Sequence, residues 1–86
     1  MTDPKRSPDD LACFDARKVV KAGLGDDYDR LVEPARHALQ AAMWDHRVSA
    51  SAAAGAAATH AMATGEAPEV ASIFLAAAAD ILENAN

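Results

Sequence analysis

The residues of this 86-residue chain best equipped for chemistry are three histidines, one cysteine and a group of aspartates. His37, His46 and His60 would have to be folded together to hold a metal ion, because no two of them lie three or four positions apart. Glu33 and His37 do share a spacing of four. One such pair falls short of the several convergent ligands a metal needs. Di-iron bundles use Glu-x-x-His motifs on paired helices, and this chain has four glutamates and no such motif. Neither a metal nor a cofactor is expected.

Cys13 has Asp15 and Arg17 nearby but no Cys-x-x-Cys partner, and a nucleophile needs a base and a group to orient it. It reads as an inert, semi-buried thiol. Asp26, Asp27 and Asp29 lack the glycine and terminal glutamate of a calcium loop. Gly23-Leu24-Gly25 follows no strand, so it reads as a helix-ending turn and not a phosphate loop. No acid, base or nucleophile constellation emerges, and the expectation is a protein without catalytic activity.

Two aromatic residues suggest binding instead. Trp44 falls opposite Leu31 and Leu39 on a helical wheel, on a polar face with Glu33, His37, Gln40 and Arg47. An exposed tryptophan is a common interface anchor. The competing reading turns Trp44 into an alanine-lined trough of the fold. Phe14 lies among Arg17, Lys18 and Lys21, away from Ala12, Ala16, Val19 and Val20, where it could stack beside an acidic protein or a phosphate backbone. In the alternative, lysine stems lie over its ring on a solvated face. The protein-binding candidates are thus Trp44, Phe14, Arg47, His37 and Gln40.

The elements that must position these residues are helical throughout. Residues 1–6 read as a flexible lead and 7–86 as a single helical domain. Ser7-Pro8-Asp9-Asp10 is a specific helix start: a capping hydroxyl, a proline suited to the first turn and two carboxylates at the positive end of the dipole. That helix should end near Ala22, with Gly23 and Gly25 closing it. A second amphipathic stretch places Tyr28, Leu31, Val32, Ala35, Leu39, Ala42, Met43 and His46 on one face, and Pro34 predicts a break or bend near Glu33.

No glycine or proline separates Met43 from Ala54, so the second and third helices could be continuous. A break with Ser49 as cap is the favoured reading. The third helix covers roughly Ser49 to Ala63 and Gly65 stops it. Its run from Ser49 to Thr59 contains only small, uncharged residues, and Ser51, Gly55 and Thr59 recur four apart, predicting a close approach by a neighbouring helix. The last helix runs from Pro68-Glu69 to about Glu83. Ile73, Val70, Ile81, Phe74, Leu82 and Leu75 cover more than half its circumference, so it should be central. The fold expected is all-α, a compact three- or four-helix, Ala-rich bundle completed by oligomerisation.

Composition supports the last clause. Of 44 apolar residues 23 are alanine, which buries little area. A chain of this size buries only roughly 63% of its unfolded surface, and one cysteine excludes an intrachain disulfide, leaving a protein partner or homo-oligomer as the support. The net charge of -5 argues against general nucleic-acid affinity. The uncharged stretch from Val48 to Gly65 is too weakly apolar for a membrane span, and a cytoplasmic location is the default. Alanine richness with few lysines also fits a GC-rich bacterial genome. The reading reached is a small helical protein–protein interaction module: a self-associating protein, an accessory subunit or an inhibitor of a larger assembly. The alternatives are a small DNA-associated regulator or an acidic nucleic-acid mimic acting on a nucleic-acid-binding protein.

Overall fold

The computed structural model describes residues 7–84, and the lead expected over 1–6 lies outside them. Ser7 opens the first helix, α1 (Pro8–Leu24), its hydroxyl accepting from the Asp10 amide at 3.2 Å while Pro8 occupies the first turn. The helix continues through Gly23 and closes at Gly25, whose combination of φ 55° with ψ -125° lies outside the regions open to an L-residue. A single 3-10 turn (Gly25–Asp27) leads into α2 (Tyr28–His46).

Pro34 sits inside α2 and does not break it. Its ring removes one hydrogen bond to the Arg30 carbonyl, but Arg30 and Pro34 are both exposed, where water can serve the vacated group. Burial of Val32, Ala35 and Leu39 on the other side keeps the helix one continuous element through the proline. α2 ends at His46, with Arg47 in the left-handed conformation (φ 55°, ψ 48°).

Ser49 then caps α3 (Ala50–Ala63), accepting from the Ala52 amide at 3.2 Å, so the second and third helices are separate. Gly65 ends α3 in a Schellman motif: Glu66 N–H donates to the Ala61 carbonyl and Gly65 N–H to that of Met62. The last helix, α4, spans Pro68–Asn84.

α4 is the hub. It packs against α1, α2 and α3 far more extensively than those three pack against one another. Ala76, Ala77, Ala78 and Ala79 are each 0% exposed. Successive residues step about 100° around a helix, so four in a row span its circumference, and α4 is enclosed on all sides at its waist. The larger apolar residues Ile73, Phe74, Leu75, Ile81 and Leu82 flank that waist and are half-buried. The result is an all-α bundle with α1, α2 and α3 arranged around α4.

The buried face of α1 differs from the one its apolar residues predict. Cys13 and Val20 are buried with Arg17 and Leu24 partly so, whereas Ala12 is exposed and Val19 is 72% exposed. A wheel drawn on apolar character turns Arg17 outward, but its guanidinium is drawn inward by a carboxylate on α4.

Candidate interaction surface and the Asp80 cluster

Trp44 follows Leu39 by five residues, which turns it about 140° away from that buried side chain. It is 83% exposed, the most exposed of the large apolar side chains among the described residues. The trough reading of Trp44 therefore fails within this chain. His37 and Gln40, seven and four positions earlier, are exposed on the same face, and the His37 Nε2 lies 3.8 Å from Glu33 Oε1. Arg47 is also exposed, but its left-handed backbone places it in the turn that leaves α2. Four of the five predicted contact residues thus occupy the outer side of α2 and its end.

Phe14 does not join them. It is half-buried and packs against the core, with the Arg17 guanidinium 5.0 Å from its ring centroid. The cation over the ring is held inside the molecule, so no stacking platform is offered to a ligand. Lys21 lies similarly over Tyr28, at 5.2 Å.

The small-residue stripe also falls elsewhere than predicted. α3 meets the core through Ala50, Ala53, Ala54, Ala58 and Ala61, while Gly55 and Thr59 are exposed and Ser51 is half-buried. A methyl group built on Gly55 would meet nothing within 4 Å. Within the chain the stripe receives no neighbouring helix, because the alanines one register away form the contact. The Thr59 hydroxyl donates to the Gly55 carbonyl at 2.8 Å, which turns the polar atom back onto its own helix. α3 carries no formal charge, and its outer face exposes Met62 to 63%.

Cys13 is 1% exposed, and burial, then the nearby Asp10 and Asp9 carboxylates, push its thiol up from 9.0 to about 11. A thiol so held is mostly protonated at neutral pH and a poor nucleophile. His46 and His60 are exposed and flank an apolar groove of about 400 Å³ between α2 and α3, over Phe74. Among the described residues no three His, Cys, Asp or Glu side chains gather where they could hold a metal ion.

A cluster that sequence reasoning missed centres on Asp80 of α4. Arg17 of α1 donates to Asp80 Oδ1 at 3.2 Å, while Arg36 and Tyr28 of α2 donate to Oδ2 at 2.9 and 2.8 Å. Arg17 also pairs with Glu83, and Arg36 lies 3.8 Å from Asp29. The Asp80 side chain is 13% exposed and the Arg17 and Arg36 side chains 18% and 22%. Burial pushes the Tyr28 hydroxyl up, and its bond to Asp80 adds to the effect. For Arg17, burial lowers the pKa, but bonds to Glu83 and Asp80 outweigh it and the net shift is upward. With three donors on one carboxylate and a phenol that holds its proton, the cluster offers neither a free base nor a nucleophile. Its signal in the sequence was a lone carboxylate between Ala76–Ala79 and Ile81-Leu82, which needs cationic partners when buried.

Compared with known proteins, the chain matches no family model, no curated protein and no solved structure. Among the described residues, no helix is long and apolar enough to cross a membrane.

Proposed function

We propose that this chain is a non-catalytic helical interaction module whose contact surface is the outer face of α2, with Trp44 at its centre and His37, Gln40 and Arg47 around it. The observation that carries the reading is the 83% exposure of Trp44, a large amphipathic ring that this fold leaves unused. The partner tested first is a second copy of the chain. Self-association is supported by the uncharged, partly exposed α3 and by a core in which, among the described residues, ten of the fifteen buried apolar side chains are alanine.

The DNA-associated alternative is weakened by where its cations go. Arg17 and Arg36, which would meet phosphate, are committed to Asp80. An acidic mimic retains the exposed Asp26, Asp27 and Asp29, although Asp27 is paired with Arg30 at 3.1 Å. No other geometry favours it.

Sedimentation equilibrium of the full chain at micromolar concentration tests the proposal, with iodide quenching of Trp44 as a second probe. The reading expects a species heavier than 8.9 kDa in which Trp44 becomes protected. A monomer at every concentration would remove self-association. A complex in which Trp44 stays fully quenchable would move the contact surface away from α2.

A further inference from the structure

The waist of α4 carries almost no shape information, and that raises the question of what holds this helix in one position. Ala76 to Ala79 are identical side chains enclosed on every side. Advancing α4 by one residue along its own screw, about 1.5 Å and 100°, exchanges most of these alanines for one another. The same movement sets Phe74 in the place of Ile73, Leu75 in that of Phe74 and Leu82 in that of Ile81. These exchanges put apolar groups in place of apolar groups, which cores tolerate when pattern and volume are roughly kept. Ala76, however, would underfill the place of Leu75, and Glu83 would enter that of half-buried Leu82.

Asp80 is the costliest mismatch. The movement would carry its carboxylate into the place of Ala79, which is 0% exposed, and would put Ile81 between Arg17, Tyr28 and Arg36. A charge would be buried alone, which is among the costliest changes a fold can suffer. Arg17 and Arg36 would lose the carboxylate they share, and Arg36 would keep only the longer contact to Asp29 at 3.8 Å. The reverse movement replaces Asp80 by Ala79, takes the shared carboxylate from the same two guanidiniums and forces Leu75 into the space of Ala76.

We infer that Asp80 is the register lock of this fold: its carboxylate, gripped by Arg17, Tyr28 and Arg36, selects one rotation and axial setting of α4 from several that the alanine waist would otherwise accept. The cluster contributes uniqueness before it contributes stability, a role attested for buried polar groups in some helical assemblies. Its geometry suits the task, because the three donors come from two helices on different sides of the carboxylate and from separate turns. None of α1, α2 and α4 can shift without breaking a bond.

The test uses the full chain carrying Asp80→Asn and, separately, the apolar replacement Arg17→Met/Arg36→Met/Asp80→Leu. Far-UV circular dichroism reads helix content, and amide correlation spectra with dye binding read the uniqueness of packing. The lock predicts that helicity is kept in the triple variant while its amide peaks broaden or split into several sets and the dye binds. Asp80→Asn should show the same change in milder form. A triple variant with one sharp, dispersed set of peaks overturns the inference, whatever its melting temperature. Loss of helix in both variants also overturns it, because the cluster would then be a source of stability and not of register. If Asp80→Asn alone unfolds, the spectrum of the triple variant decides.

Discussion

A tryptophan ring that covers roughly 150–250 Å² when buried is left in water at Trp44, and this makes the residue a sharp probe of association. Trp44→Ala is expected to change folding stability by no more than about 0.5 kcal/mol, since it removes nothing from the core. The same substitution should weaken association by at least about 2 kcal/mol, near 30-fold, in sedimentation or titration calorimetry. Cys13 supplies the opposite case. Its thiol should resist aromatic disulfide reagents until the chain is unfolded in urea, when it should react at once. Below pH 9 both folded and unfolded states keep the proton, so its contribution is then fully present. Between 9 and about 11 the unfolded chain releases it first, so stability falls with rising pH over that window. Urea titrations of Cys13→Ala should lack this part of the alkaline slope. That Trp44 leaves the buried face of α2 was legible because Tyr28, Val32 and Leu39 fix the phase of the helix, whereas whether another helix covers the ring was open in the sequence. Phe14 was not, because the phase of α1 depends on Arg17 reaching a carboxylate sixty-three positions away.

Helix ends were easier to read than helix faces, and the reason lies in the range of the interactions. Ser7, Ser49 and Gly65 act on backbone groups within a few residues, so each cap could be placed from its own neighbourhood. The face a helix buries is decided by its neighbours, and in α3 every candidate face is small and uncharged. The Ser51, Gly55 and Thr59 spacing therefore pointed to packing that Ala50, Ala54 and Ala58 perform instead. Gly55→Ala should raise the stability of the dilute monomer by about 0.5–1 kcal/mol, because the added methyl group finds open space and the helix backbone loses less entropy. Thermal or urea denaturation reads this directly. A loss in place of a gain would mean that something outside the chain covers this face. Pro34→Ala should also stabilise, by about 1–3 kcal/mol, by restoring the bond to the Arg30 carbonyl inside α2.

At the scale of the whole molecule the alanine core leaves little margin. Among the described residues, Leu39, Val32 and Cys13 are the largest side chains buried to below 2% exposure. Leu39→Ala should cost about 2–5 kcal/mol in urea denaturation. A chain of this length has a total stability of about 4–13 kcal/mol, so that single truncation takes a large share of it. The all-α class and the central place of the last helix were legible from its apolar circumference, whereas the Asp80 cluster joins residues from three helices and has no local pattern. The position of α4 in chain order has a further consequence, for synthesis on the ribosome. α1, α2 and α3 emerge first, yet each finds its main packing surface on α4, which follows them. Until α4 has cleared the exit tunnel the preceding helices have almost nothing to pack against. The nascent chain therefore gains its core in one late step, and a ribosome stalled before Pro68 should hold a segment that proteases cut freely.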